Sequence, residues 1–188
     1  MNKNEILKMF ESTGALLKGH FTLSSGLHSE EYLQCAKVLQ YPEYTEKLCR
    51  ELANHFKDDK PTCVVAPALG GVIVSFGVAK VLGVRSIFTE RKDSKMVLRR
   101  GFEIKKDDKV LVVEDVVTTG LSTKEVLGVV KQKSQNIIGV GCIVDRSGGG
   151  VDFGVKSVSL VKLDMPTYKA EVCPLCKKGT KVTKPGSR

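Results

Sequence analysis

Four consecutive apolar residues, Val110, Leu111, Val112 and Val113, run straight into two carboxylates, Glu114 and Asp115. The chain then passes through Val116 and Val117 into Thr118, Thr119, Gly120, Leu121 and Ser122. A short apolar run without polar alternation reads as a strand buried on both faces, the condition of a parallel sheet covered by helices. Here the strand is predicted over residues 109–114, with the two carboxylates closing its carboxyl end. A hydroxyl- and glycine-rich turn follows, and a helical pattern spans residues 122–133. Strand, turn and helix in this order form the unit of an open α/β sheet, in which ligands bind at the carboxyl ends of strands.

The neighbouring segments repeat the alternation. Residues 62–66 read as a strand, 67–71 as a loop, 72–82 as a helix and 85–89 as the next strand; strands over 137–144 and 157–162 complete the set. The pattern predicts an α/β fold with a mostly parallel sheet, flanked by helices and joined by right-handed crossovers. Towards the start, residues 5–18 read as a helix with Ile6, Met9, Phe10, Leu16 and Leu17 on one side, ended by Gly19. Short strands over 20–24 and 32–35 surround a turn at Gly26. Pro42 opens a second helix at the position where a missing N–H costs nothing, and Tyr44, Leu48, Leu52 and Phe56 recur along it. Residues 90–106 carry Arg91, Lys92, Lys95, Arg99, Arg100, Lys105 and Lys106 and read as an exposed excursion or hairpin. With no internal repeat and no domain-sized linker, residues 1–188 read as one domain, ending in a loose polar tail over 180–188.

A chain of 188 residues with 41% hydrophobic content has enough apolar surface for a core. No apolar run reaches the roughly 18 residues of a membrane span, and charges interrupt the first residues where a signal peptide would be apolar; a soluble cytoplasmic enzyme is the expectation. The net charge of +9 suits anionic partners. Like charges do not run in blocks and aromatics make up 6%, which argues against a nucleic-acid surface. Cys63 and Cys142 sit in apolar runs and read as small hydrophobes. Cys173-Pro-Leu-Cys176 has the spacing of half a structural zinc site. No second pair or neighbouring histidine completes it in sequence, and His20, His28 and His55 are scattered. Free thiols are therefore expected ahead of zinc or a disulfide.

The turn over 118–122 offers backbone N–H groups, the hydroxyls of Thr118, Thr119 and Ser122, and a helix N-terminus, together a cradle for a phosphate dianion. Carboxylates would repel phosphate oxygens, so Glu114 and Asp115 make sense facing sugar hydroxyls, with Mg²⁺ nearby as a hard cation. A ligand read as phosphate at one end and polyol at the other is a sugar phosphate. The plainer alternative is an acidic pair favoured by a helix dipole. The sequence contains neither a Walker A motif nor a Gly-x-Gly-x-x-Gly fingerprint. Ala66-Pro-Ala-Leu-Gly-Gly71 is a second strand end with a glycine turn; it can hold further phosphate oxygens or be an ordinary turn.

Residues 114–122 resemble the phosphoribosyl-diphosphate signature of type I phosphoribosyltransferases. Phe21-Thr-Leu-Ser-Ser-Gly26 with Tyr32, the basic run Arg91-Lys-Asp-Ser-Lys95, and Arg146 beyond the 137–144 strand resemble the branch of that family that takes orotate. The resemblance implies a small hood built from residues 1–35 and the C-terminal part, with His28 in its loop, and a mobile basic loop over 90–106. It implies transfer of ribose 5-phosphate from phosphoribosyl diphosphate to orotate. Donor binding would fall to Arg91, Lys92, Lys95, Glu114, Asp115, Val116, Val117, Thr118, Thr119, Gly120, Leu121 and Ser122. Lys92 would be catalytic, and Thr118 and Arg146 would address orotate. Mg²⁺ would be held mainly by the donor diphosphate, with no direct protein ligand. A homodimer is implied, each basic loop closing over the neighbouring site, with no nucleic-acid or membrane partner. Ser24, Gly70 and Val97 depart from the family pattern, which places lysines at the first two positions and a histidine near the third. Two alternatives stay open: a different nucleobase, or a regulator that senses the ribose donor without catalysis.

Overall fold

A computed structural model of the chain describes residues 1–23 and 25–185, so Ser24 and residues 186–188 lie outside the described residues. In chain order the elements are α1 (Lys3–Ser12), β1 (Leu16–Thr22), β2 (His28–Leu33), α2 (Ala36–Leu39), α3 (Pro42–Asn54), β3 (Cys63–Pro67), α4 (Gly70–Leu82), β4 (Arg85–Lys92), β5 (Lys95–Leu98), β6 (Val110–Val117), α5 (Leu121–Lys131), β7 (Ile137–Asp145), β8 (Ser157–Lys162), β9 (Thr167–Tyr168) and α6 (Pro174–Lys177). Among the described residues no helix is long and apolar enough to cross a membrane.

The main sheet has the order β5-β4-β3-β6-β7-β8, parallel throughout except for the antiparallel β4–β5 pair. This is the α/β architecture read from the strand–helix alternation. Its central strand β6 is buried on both faces. Leu111 and Val113 pack with Leu48, Leu52, Phe56, Val74 and Val78 of the α3–α4 side. Val110 and Val112 pack with Val126, Leu127 and Val130 of α5. Alternate residues therefore serve opposite layers, as strand geometry requires. Helices α3 and α4 approach closely at Gly77, where a Cβ would lie 2.5 Å from the Cys49 sulfur. Cys63 and Cys142 are buried as expected, and burial pushes their thiols up to about 11 and about 12.

The N-terminal helix stops well short of the predicted Gly19. The Thr13 hydroxyl donates back to the Met9 carbonyl at 2.8 Å, and Gly14 turns the chain at φ 65°. Leu16 and Leu17, which extend the helical spacing, instead begin β1. Strands β1, β2 and β9 form a separate antiparallel sheet, the hood, which joins the start of the chain to its last quarter. The tail expected to be loose is tied to this sheet over its described part: Thr22 N–H donates to the Thr183 carbonyl at 2.9 Å, and Thr183 N–H to the His20 carbonyl at 2.8 Å.

The basic segment, read as an exposed excursion or hairpin, begins as a hairpin. Strand β4 runs beyond Thr89 to Lys92, turns at Asp93 and Ser94 with φ of 50° and 64°, and returns as β5. Two successive residues with positive φ form the tight hairpin connection that matches strand twist.

Candidate active site

The carboxyl ends of β3, β6 and β7 converge on one edge of the sheet. Strand β6 extends past its predicted end at residue 114. Glu114, Val116 and Val117 continue to pair with Cys142, Val144 and Asp145 of β7, whereas the β3 pairing stops at Val112. The acid pair therefore lies where β3 has parted from β6 on its way to the turn before α4. The space that opens is occupied by glycine: a Cβ at Gly70 would sit 2.5 Å from Asp115 Oδ1, and one at Gly71 would sit 3.1 Å from Glu114 Oε1. A side chain at position 70 would require the end of the Asp115 side chain to shift. The Ala68–Leu69 peptide bond in this turn is cis, and Leu69 is exposed.

Helices α4 and α5 begin at the two turns flanking the acids. Neither has a side-chain cap or an acidic residue in its first turn. Helix α1, in contrast, has a full capping box from Asn2 and Glu5, and α3 carries Glu43 in its first turn. Uncompensated N–H groups and positive dipole ends suit anion binding. Thr118 and Thr119 are exposed in the β6–α5 turn. Gly120 adopts φ 72° and packs so closely that a Cβ would meet Val151 at 2.6 Å. The arrangement offers one anion cradle on each side of a carboxylate pair.

Glu114 is buried. Burial first, then the charge of adjacent Asp115, raise its carboxyl from 4.5 to about 9; the Asp115 N–H and the Ser122 hydroxyl oppose the shift without cancelling it.

Arg146 follows β7, and its backbone N–H donates to the Val117 carbonyl at 2.8 Å, which fixes it beside the 118–122 turn. Positive φ at Gly148 and Gly149 then turns the chain away. Burial pushes the guanidinium down, while Cys35, Glu31 and Tyr32 of the hood side pull it the other way. Its Nε is buried without a hydrogen-bond partner. Among the described residues Arg146 makes no ion pair. Asp145 accepts from the Ser147 N–H and Asp152 from the Gly154 N–H, each at 2.8 Å.

A model of the phosphoribosyl transferase domain matches residues 38–168. The chain belongs to that family. It is 55% identical to the orotate phosphoribosyltransferase of Caldanaerobacter subterraneus over all of this chain and 99% of that one. It is 53% identical to that of Desulforamulus reducens, over 100% and 98% of the two chains. The crystal structure of orotate phosphoribosyltransferase from Aeropyrum pernix matches with a TM-score of 0.68 at 25% identity, covering 84% of this chain and 93% of that one.

For this phosphoribosyl transferase domain, the structure brings together Glu114, Asp115, the 118–122 turn and Arg146 of the sequence-predicted residues. The basic hairpin is arranged differently from a set of unpartnered cations. Arg91 forms a two-armed ion pair with Glu125 of α5 in the same chain, one arm at 3.0 Å, and also donates to the Ser94 carbonyl. Arg100 is held by Glu90 at 2.8 Å. Lys92 and Lys95 are exposed. Val97 is half-buried on β5 opposite Glu90. Glu125 was not legible as a partner, because helical spacing marks it only as a solvent-facing residue of α5. The histidines are scattered in sequence but not all in space. His20 and His28 are buried and meet Cys173 and Cys176, although His55 stays apart.

Proposed function

We propose that the chain is an orotate phosphoribosyltransferase: orotate displaces diphosphate from the ribose carbon of phosphoribosyl diphosphate, giving orotidine 5′-monophosphate in pyrimidine nucleotide synthesis. The observation that carries the substrate is Arg146. A half-buried guanidinium beside the donor turn, with an orphaned Nε and no carboxylate of its own, is a receptor for a planar carboxylate. Among nucleobases, orotate supplies one and adenine or uracil does not. Full-length identity above one half to proteins bearing the orotate name supports the same reading.

In this reading the 118–122 turn and the α5 N-terminus hold the 5′-phosphate, and Glu114 and Asp115 accept from the ribose hydroxyls. The 66–71 turn and α4 N-terminus take diphosphate oxygens, while Thr118 and Arg146 hold orotate. Lys92, with Lys95 and Arg91, neutralises the departing diphosphate. Arg91 must first leave Glu125, so closure of the hairpin exchanges one ion pair for another. No covalent nucleophile is required; positioning and charge neutralisation carry the reaction. Mg²⁺ fits this site: the hard-oxygen acids Glu114 and Asp115 border both anion cradles, and the diphosphate itself would be its main ligand. When bound, it supplies charge neutralisation of the leaving group.

A homodimer is part of the proposal. Helix α4 leaves Ile73 and Phe76 exposed at 45% and 65%, an apolar face directly after the 66–71 turn. Mixed dimers of Lys92→Ala and Asp115→Asn subunits should recover activity that neither homodimer has; no recovery in verified mixed dimers would exclude shared sites. The substrate is tested by incubating the purified protein with phosphoribosyl diphosphate, Mg²⁺ and each nucleobase in turn. Turnover with orotate and none with uracil or purines is expected; preference for a neutral base would overturn the assignment.

A further inference from the structure

Four potential metal ligands from opposite ends of the chain meet in the hood. His20 Nε2 lies 2.8 Å from His28 Nδ1, and the Cys176 sulfur lies 3.3 Å from that same nitrogen. The sulfurs of Cys173 and Cys176 lie 3.5 and 3.7 Å from His20 Nε2. All four atoms fall within 4.8 Å of one another. A tetrahedral zinc ion with ordinary bond lengths needs its ligand atoms roughly 3.3–3.8 Å apart, so small side-chain adjustments suffice.

The backbone explains the convergence. Thr22 of β1 pairs with His28 of β2. His20 lies two residues before Thr22, where the β1–β2 register shifts between Lys18 and Phe21, and its ring meets that of His28 with centroids 4.8 Å apart. His28 pairs in turn with Tyr168 of β9, which delivers the C-terminal chain to this corner. Cys173 then caps α6 with Pro174 in its first turn. The Lys177 N–H donates to the Cys173 carbonyl at 3.2 Å, so the turn folds Cys176 back towards Cys173. The rear nitrogen of His20, Nδ1, lies 2.9 Å from the Thr180 carbonyl. A carbonyl only accepts, so Nδ1 carries the proton and the Nε2 lone pair faces the cluster. An outer carbonyl that sets the tautomer in this way is the usual support of a metal-bound histidine.

Burial supplies a second, independent argument. Cys173 is fully buried, and His20 and His28 are 3% and 9% exposed. Without an ion, these polar groups have mainly each other and weak S–H donors to satisfy them, an unfavourable use of buried space. The segment they anchor has little else to hold it. Its helices are three and four residues long, and Val172 and Val182 remain 58% and 42% exposed. Segments that cannot bury enough apolar surface are commonly fastened by a metal. Two thiolates and two imidazoles select zinc rather than the hard Mg²⁺ of the diphosphate chemistry. With four protein ligands the site is closed, as structural sites are.

We propose that His20, His28, Cys173 and Cys176 bind one structural zinc ion that fastens the C-terminal segment to the hood sheet. Elemental analysis of the full chain, purified under thiol protection, should find about one zinc per chain. After metal depletion, one equivalent of Co²⁺ should give the visible bands of tetrahedral cobalt and a thiolate charge-transfer band. His20→Gln, His28→Gln and Cys176→Ser should each weaken cobalt binding roughly tenfold or more. If any variant fails to fold, the wild-type titration and metal content still decide the matter. Three results would overturn the proposal: neither zinc nor cobalt uptake by the wild type, a Cys173–Cys176 disulfide found by mass spectrometry in place of metal, or undiminished binding in both histidine variants.

Discussion

The acid pair at the end of β6 and the histidine–cysteine cluster of the hood are two polar centres of this molecule, and they are assembled in opposite ways. At the first, one unbroken stretch from Val110 to Ser122 supplies strand, carboxylates, turn and helix N-terminus. The rest of the fold contributes glycine clearance and a single arginine. At the second, no ligand pair other than Cys173 and Cys176 is close in sequence, and His20 meets Cys173 across 153 positions. The first centre is left open to solvent at Thr118 and Thr119, and it holds polar groups that want a ligand. At the second, four donor atoms already face one another, three of them on buried residues and one on exposed Cys176. Openness with unsatisfied charge is what catalysis requires, whereas closure with four convergent donors is what a fastening requires.

Substitutions at the two centres should separate along that line. In the proposed reading Asp115 accepts from the ribose hydroxyls, and Asp115→Asn weakens that acceptor. With charge-assisted hydrogen bonds worth roughly 1.5–3 kcal/mol each, kcat/KM for the donor should fall by about two decades or more. Thermal stability should be unchanged; equal activity in the variant would remove the acids from donor binding. Arg146→Ala should raise the orotate KM by about one to two decades while leaving the donor KM nearly constant. Parallel losses for both substrates in steady-state kinetics would show that Arg146 does not read the base.

Effects at the hood should appear in stability first. A zinc chelator should lower the melting temperature of the wild type by several degrees, since each kcal/mol is worth about 2–4 °C at this size. The same chelator should leave Cys176→Ser unmoved. A wild type indifferent to chelation in a thermal scan would dissolve the contrast between the centres.

The gentlest test concerns Glu114. Its carboxyl binds a proton more tightly in the folded chain than in the unfolded one. The stability this provides is complete below about 4.5 and is lost as pH rises through about 9. Glu114→Gln keeps the shape of the protonated acid without that loss. It should gain roughly 1 kcal/mol or more over wild type between weakly acidic and alkaline pH, while losing donor binding. Urea midpoints of the two proteins that run parallel across this range would show that the carboxyl is not held protonated.

Much of the fold was legible because its signals are local. The apolar runs of β3, β6 and β7 declare strands buried on both sides, and the 110–122 motif carries its chemistry within one strand–turn–helix unit. Element ends were less legible. The helical spacing of Leu16 and Leu17 is genuine, yet a hydroxyl bond at Thr13 and a left-handed Gly14 stop α1 first. Strand β6 outlasts its acid pair because β7 continues to pair with it, which no local pattern reports.

The sequence by itself determined the α/β class and the acid pair followed by a hydroxyl- and glycine-rich turn at a helix start, because contiguous residues keep their spacing whatever the rest of the chain does. Only the tertiary structure decided that Arg91 rests on Glu125, that Arg146 is half-buried with an orphaned nitrogen, and that two apparently scattered histidines stand over a Cys-x-x-Cys pair. Those outcomes depend on the register of β1, β2 and β9 and on the closure of long loops. Many residues separate the partners, and their meeting is settled by the packing of the whole domain rather than by any preference of the residues that meet.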